Sequence, residues 1–392
     1  MPMRSVADAP VDGKRVLVRV DFNVPLKDGA VTDDTRIRAA LPTIELLLDN
    51  GAALILVSHL GRPKGKQDPK YSVAPVAARL AELLGKPVAT ADDVTGESAR
   101  TASTSLQPGD ILLLENSRFE PGEEKNDPAL AAALAELADL YVNDAFGAAH
   151  RAHATTVGVA EHLPAYAGLL LQEEERVLSR LLDEPERPFI AILGGAKVSD
   201  KLAVIGHLLE RVDALLLGGG MANTLLLADG EEIGDSLAEP DLVERASELL
   251  RTASETGVEI VLPRDVVVAD SIDSTETSTV ARNAVPAGQA IFDIGPETVA
   301  DYGERIANAR TVFWNGPMGV FEKSAFAEGT MGIARSVAEA NAFTVVGGGD
   351  SIAAIEAAGV AAEIDHVSTG GGASLELLEG RTLPGIAAIP DA

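Results

Sequence analysis

The chain has 392 residues, room for two or three domains at about 100–200 residues each, and 46% of it is apolar, ample for packed cores. Its formal net charge of −28, from 60 acidic against 32 basic residues, argues against a nucleic-acid partner, whose phosphates an acidic surface repels. The absence of cysteine excludes disulfides and thiolate metal sites, and no segment approaches the roughly 20 continuous apolar residues of a membrane span.

Met1-Pro2-Met3-Arg4-Ser5 lacks the apolar run of a signal peptide, so a cytoplasmic protein is expected. The acids are scattered (Glu173-Glu174-Glu175, Asp183-Glu184, Glu231-Glu232) rather than gathered in a tail. Self-repulsion over such a surface destabilises the compact state unless salt screens it. With 10 lysines against 22 arginines, the composition points to a halophilic, high-salt cytosol rather than to an ordinary acidic mesophile.

In chain order, Arg15–Val20 reads as a strand, followed by the turn Asp21-Phe22-Asn23-Val24-Pro25-Leu26. Asp33-Asp34-Thr35-Arg36 leads into a helix through Leu48. Ala53–Val57 is a second strand, ending at Ser58-His59-Leu60-Gly61-Arg62-Pro63, and a helix follows over Pro75–Leu84. Ile111–Leu114 is a third strand, Ala129–Ala138 a helix and Leu140–Asn143 a fourth strand, closed by Asp144-Ala145-Phe146-Gly147. Strands alternating with helices predict a parallel α/β sheet. Pro164–Leu182 carries Leu169, Leu170, Val177, Leu178 and Leu181 at helical spacing and reads as one longer helix. Glu184-Pro185-Glu186-Arg187-Pro188 breaks it, which makes it the connector between two lobes.

The stretch from Pro188 to Lys201 organises the second half. Phe189–Leu193 is a continuous apolar run, the mark of a strand buried on both faces. Gly194-Gly195 ends it, and Val198–Arg211 shows helical spacing through Val198, Leu202, Ile205 and Leu209. Lys197 and Lys201, four apart, then share one face of a first helical turn. Cations are unfavourable at a helix N-terminus unless an anion such as phosphate lies between them. Further strands are expected at Ala214–Leu217, Glu259–Leu262, Thr311–Trp314, Phe343–Val346 and near His366–Val367, forming a second doubly wound sheet.

Glycine clusters follow these strands: Gly194-Gly195, Gly218-Gly219-Gly220, Trp314-Asn315-Gly316-Pro317-Met318-Gly319, Gly347-Gly348-Gly349 and Gly370-Gly371-Gly372. Repeated at one sheet edge, they imply close approach of backbone to a ligand, beyond the carboxyl ends of the strands. None satisfies the phosphate-loop or dinucleotide fingerprints. Asp350 is placed to hold Mg²⁺ on a nucleotide or to cap a helix, and Glu322 to accept from a ribose or to lie in solvent. In the first half the strand ends carry cations instead: Arg36, His59, Arg62, Arg118, His150 and Arg151. Each alone reads as a surface ion-pair partner; together they make a basic pocket for a small, multiply anionic molecule. His59, His150 and His153 lack the carboxylate or cysteine spacing of a metal set. One basic lobe and one glycine-rich lobe suggest phosphoryl transfer, and with no nucleophile–base pair in view, a carboxylate acceptor, ionised at neutral pH, fits.

At these residues the sequence resembles the phosphoglycerate kinase family. The resemblance rests on Arg19-Val20-Asp21-Phe22-Asn23-Val24-Pro25, His59-Leu60-Gly61-Arg62-Pro63, Asn143 to Gly147 with His150-Arg151-Ala152-His153, Gly194 to Lys201, Trp314 to Glu322 and Gly347 to Ser351, in family order over nearly the whole chain. It implies transfer between 1,3-bisphosphoglycerate with ADP and 3-phosphoglycerate with ATP, using Mg²⁺. It assigns the phosphoglycerate to Asp21, Phe22, Asn23, Arg36, His59, Leu60, Gly61, Arg62, Arg118 and Arg151, with Arg36 also neutralising the moving group. The nucleotide falls to Gly194, Gly195, Ala196, Lys197, Lys201, Gly218, Asn315, Pro317, Gly319, Glu322, Gly348, Gly349, Asp350 and Ser351. Lys197, Lys201, Gly348 and Gly349 would serve the transferred group, and Asp350 the metal. The implied fold is two doubly wound parallel-sheet lobes joined by a helix and hinge, with a cleft between them. The implied division is residues 1–163 plus 376–392, a connecting helix at 164–184 and a nucleotide lobe at 185–375, in a hinge-bending monomer. Ser117 and Ser351 depart mildly from the family pattern, and the acidic surface is no family feature. A two-lobed anion-binding protein without catalysis and a nicotinamide dehydrogenase are the alternatives, the first leaving the glycine-rich side unexplained and the second lacking its fingerprint.

Overall fold

The computed structural model describes residues 3–392. The chain divides into two compact units, Met1–Arg176 with Thr382–Ala392, and Val177–Arg381.

In the first unit the strands are β1 (Arg15–Arg19), β2 (Leu26–Lys27), β3 (Ala30–Val31), β4 (Ala53–Val57), β5 (Ala89–Thr90), β6 (Ile111–Leu113), β7 (Leu140–Asn143) and β8 (Ala165–Ala167). Its helices are α1 (Thr35–Asp49), α2 (Ala74–Leu84), α3 (Glu97–Ser105) and α4 (Pro128–Ala135). Six strands form a parallel sheet in the order β5-β6-β4-β1-β7-β8, and β2 and β3 form a separate hairpin. Alternate residues of β1 feed opposite cores: Val16 and Val18 pack with Ile37, Ile44 and Val76, while Leu17 packs with Leu112, Leu130 and Leu134. Both faces are covered, which is why these strands read as unbroken apolar runs. The C-terminal helix of this unit, residues 384–387, docks by Gly385 N–H donating to Ala149 O at 2.8 Å.

The expected helix over Pro164–Leu182 is corrected at its start. Ala165–Ala167 is strand β8, in parallel register with Tyr141 to Asn143 of β7. Helix α5 runs Leu169–Asp183, because its first N–H groups find side-chain acceptors there. Leu169 N–H donates to Thr43 Oγ1 at 2.9 Å and Leu170 N–H to Asp144 Oδ1 at 2.9 Å.

The second unit contains β9 (Phe189–Leu193), α6 (Leu202–Leu208), β10 (Ala214–Leu217), α7 (Gly219–Ala228), α8 (Val243–Thr256), β11 (Glu259–Val261), β12 (Asp265–Ala269), β13 (Ser278–Ala281), β14 (Ala290–Ile294) and α9 (Pro296–Ala307). It continues with β15 (Thr311–Asn315), α10 (Glu328–Ala338), β16 (Phe343–Gly347), α11 (Gly349–Ala357), β17 (His366–Ser368) and α12 (Gly372–Leu378). Its parallel sheet has the order β11-β10-β9-β15-β16-β17. That is the doubly wound order whose switch point, between β9 and β15, is where ligands bind in such sheets. A small antiparallel sheet, β13-β12-β14, was not expected from the sequence.

The helix expected over Val198–Arg211 is also corrected. Val198–Asp200 is a turn, and α6 covers only Leu202–Leu208. The Ser199 N–H and hydroxyl donate to the Glu239 carboxylate at 2.9 and 2.6 Å, which diverts the would-be first turn. Lys197 and Lys201 therefore do not share a helical face. At the far end, Arg211 N–H bonds Leu208 O at 2.8 Å and tightens the last turn.

Candidate active site

On the first unit, the carboxyl ends of β1 and β4 bring the expected cations together. Arg36, in the first turn of α1, sends Nη1 to Asp21 Oδ2 at 2.6 Å. Gly61 N–H donates to Asn23 Oδ1 at 2.8 Å, and Arg118 Nη1 donates to Gly61 O at 2.7 Å. Asn116 holds both loops: its Oδ1 accepts from Leu60 N–H and Arg118 N–H at 3.1 and 3.0 Å, and its Nδ2 donates to Leu60 O at 2.7 Å. Arg62 and Arg151 are exposed on the loops after β4 and β7, and Arg151 Nε donates to His150 Nε2 at 2.9 Å. Phe22 and Leu60 are buried and serve the core rather than a ligand surface.

Two of the histidines here, His59 and His153, are driven away from the cationic form. Burial, and then the guanidinium of Arg19, hold the His59 pKa well below its ordinary value. Burial and the same arginine push His153 down to about 4. Arg118 is also lowered, first by burial. At His59 and His153 the pocket thus offers neutral rings, and the fixed positive charge beside them is arginine's, whose planar fork matches carboxylate and phosphate oxygens.

On the second unit, Lys201 is 8% exposed and its Nζ donates to Asn315 Oδ1, at the end of β15. Asn315 Nδ2 donates in turn to Gly347 O at 2.8 Å, at the end of β16. Burial pushes Lys201 down to about 8, opposed by the carboxylates of Asp200 and Asp350. Asp350 does not cap α11: Gly348, at φ 92°, precedes the helix, and Asp350 lies exposed in its first turn. Asp350, Glu322, Gly195, Ala196, Pro317 and Gly319 line one cavity of about 550 Å³. Ser351 is fully buried, its hydroxyl accepting from Gly316 N–H at 2.6 Å, so it braces the loop rather than facing a ligand. Lys197 is exposed.

The glycines divide into two jobs, where close approach to a ligand was the expectation for all. A Cβ on Gly194 would lie 2.0 Å from Pro317 O, and one on Gly218 would lie 2.5 Å from the Met318 sulfur. Those positions let the strand-end loops pack on one another. A Cβ on Gly349 would meet nothing within 4 Å, leaving that backbone open at the N-terminus of α11. Helices α7 and α11 both begin at this sheet edge, immediately after β10 and β16. In α7 the Gly219 and Met221 N–H groups are already taken by Met318 O and Gly195 O at 2.8 and 3.1 Å, so the open helix end that favours an anion is that of α11, a role the sequence had given to the segment after Gly195.

For the metal, no group of three or more His, Cys, Asp or Glu side chains suited to a metal occurs among the described residues. A lone exposed carboxylate fits Mg²⁺ all the same, since that ion is commonly held by one or two carboxylates, waters and the substrate's own phosphates.

Sequence reading missed Arg19, Asn116, Glu123 and Thr155, all buried polar residues behind the first-unit pocket. Arg19 had a visible signal, a charge closing the otherwise apolar strand Val16-Leu17-Val18. Ser117, an apparent departure, donates to the buried Glu123 at 3.3 Å.

Residues 6–381 match the model of the phosphoglycerate kinase family. The chain is 58% identical to the phosphoglycerate kinase of Moorella thermoacetica over 392 residues, covering all of both chains. It is 57% identical to that of Chloroflexus aurantiacus over 399 residues, again covering all of both. Among solved structures, phosphoglycerate kinase from Coxiella burnetii superposes with a TM-score of 0.89 at 43% identity, covering 99% of this chain and 98% of that one. The Pyrococcus horikoshii structure gives 0.88 at 36% identity, covering 98% of each. With that match and a fold of two six-stranded parallel sheets, the chain belongs to the phosphoglycerate kinase family.

Proposed function

We propose that this chain reversibly transfers a phosphoryl group between 1,3-bisphosphoglycerate with ADP and 3-phosphoglycerate with ATP, a Mg²⁺-dependent step of glycolysis and gluconeogenesis, through the two residue sets described above. Phosphoglycerate takes Asp21, Asn23, Arg36, His59, Arg62, Arg118 and Arg151. The nucleotide takes Gly195, Ala196, Lys197, Lys201, Asn315, Pro317, Glu322 and the Gly348-Gly349-Asp350 turn. The observation that carries this reading is Lys201: a buried ammonium, depressed to about 8, in the same unit as an exposed carboxylate and an open helix N-terminus. Such an ammonium is stabilised by an incoming phosphate.

The acceptor carboxylate is ionised at neutral pH, so no general base is required. Arg36 neutralises charge on the moving group, while Lys201 and the α11 N–H groups hold its other oxygens. Mg²⁺, held by Asp350 and the nucleotide phosphates, supplies further charge neutralisation when bound. The test is ATP formation from ADP and 1,3-bisphosphoglycerate: rapid turnover with Mg²⁺ and loss on chelation are expected, and turnover indifferent to chelation contradicts the assignment.

The remaining parts of the reading are physical. The two ligands take different units, so transfer needs hinge-bending to bring the reacting atoms within about 3–3.5 Å. A monomer in the cytoplasm suffices for this chemistry, and no described helix is long and apolar enough to cross a membrane. The charge of −28 supports adaptation to a halophilic interior.

A further inference from the structure

Arg19 is a fully buried arginine at the end of β1, and every one of its polar contacts fixes a direction. An arginine can only donate. Its Nε donates to Thr155 Oγ1 at 2.8 Å, its Nη1 donates to Val20 O, and its Nη2 lies 3.1 Å from His59 Nδ1. His59 Nδ1 must therefore accept, which leaves the imidazole proton on Nε2. Thr155 Oγ1 accepts from Arg19, so its single hydrogen goes to Glu123 Oε1, 2.6 Å away, while Thr155 N–H donates to Oε2 at 3.1 Å. Glu123 and Thr155 are fully buried.

We propose that Thr155 is a positioning residue. Its hydroxyl bridges Arg19 to Glu123 and orients the Arg19 guanidinium, so that His59 is presented with Nε2–H toward the phosphoglycerate. The placement of phosphoglycerate on His59 rests on the function proposed above; the relay itself does not.

The chemistry favours a dedicated bridge. Without the hydroxyl, a buried guanidinium nitrogen and a buried carboxylate each lose a partner, and unsatisfied buried groups are costly. Arg19 would then keep only its Nη1 bond to Val20 O as a fixed anchor and could pivot about it, and His59 would adopt either tautomer. Burial, and then the neighbouring arginines, hold the ring well below its ordinary pKa, so the change is one of direction, from a donor to an acceptor facing an anion.

The test begins with the unliganded wild type. The ¹⁵N shifts of the His59 ring should report the Nε2–H tautomer alone; an Nδ1–H ring overturns the proposal without any variant. Thr155→Val should then give a mixture of tautomers. It should raise the KM for 3-phosphoglycerate about tenfold, the size of one buried hydrogen bond to a charged group, while the KM for ATP stays within about twofold. Thr155→Ser should restore both. A folded Thr155→Val protein with the wild-type tautomer overturns the relay. A shifted tautomer with unchanged KM keeps the relay and overturns the placement of phosphoglycerate on His59.

Discussion

Arg36 Nη1 lies 2.6 Å from Asp21 Oδ2, with the arginine side chain 34% exposed and the aspartate 9%. The cation assigned to the transferred group is thus preset by a largely buried carboxylate before any ligand arrives. Such preorganisation removes an ordering cost from the transition state. Arg36→Ala should lower kcat by about 10²–10³, while stranding Asp21 costs only about 1–3 kcal/mol of stability. Measuring kcat and Tm together checks this; near-normal turnover in a folded variant removes Arg36 from the mechanism.

The glycines give a contrast at one sheet edge. Gly194→Ala places a methyl 2.0 Å from Pro317 O, so it should lower stability by about 1–3 kcal/mol through overpacking and loosen the nucleotide loop. Gly349→Ala meets open space, so its Tm should hold while nucleotide affinity falls. Thermal unfolding with and without ADP separates the two, and equal Tm losses would contradict the division of labour.

Buried titratable groups set opposing pH trends. His59 and His153 have folded pKa values below the unfolded 6.5, His153 at about 4. Their contribution is full above pH 6.5 and falls as pH drops, about 1.4 kcal/mol per unit for each histidine. Asp144 and Asp293 are raised by burial from 3.8 to about 7. Theirs is full below 3.8 and falls as pH rises towards 7. The stability of Asp144→Asn relative to wild type should therefore climb between pH 4.5 and 6.5, by about 1.4 kcal/mol per unit. Denaturant titrations across that range test it; a constant difference contradicts it.

Salt acts on the surface and the pocket in opposite senses. The Debye length falls from about 30 Å at 0.01 M to about 3 Å at 1 M, so repulsion among the net −28 charges shrinks to near neighbours. Tm should rise with KCl while the KM for phosphoglycerate also rises. A Tm that is flat or falls towards molar KCl sinks the halophilic reading and leaves the kinase assignment intact.

The buried strands were legible because a sheet covered on both faces demands unbroken apolar runs, as in Ala53–Val57 and Phe189–Leu193. Ala165–Ala167 was not: three residues beside an amphipathic helix carry no period of their own, and its boundary is set by Asp144 and Thr43 from distant segments. The turn at Val198–Asp200 likewise depends on Glu239, 40 residues away. Cations at strand ends were readable as a set. That Lys201 is buried, that Ser351 turns inward and that Glu123 supports the pocket depend on packing across elements, which spacing along the chain does not encode.

The most direct test of the central claim, that each unit holds its own anionic ligand for one phosphoryl transfer, is calorimetry of 3-phosphoglycerate and ADP, each alone, against Arg62→Ala and Lys201→Met. Both variants alter groups outside the hydrophobic clusters. Arg62→Ala should weaken 3-phosphoglycerate about tenfold or more, the worth of one charge-assisted hydrogen bond, and leave ADP unchanged. Lys201→Met should do the reverse. Equal loss of both affinities in either variant would contradict the account.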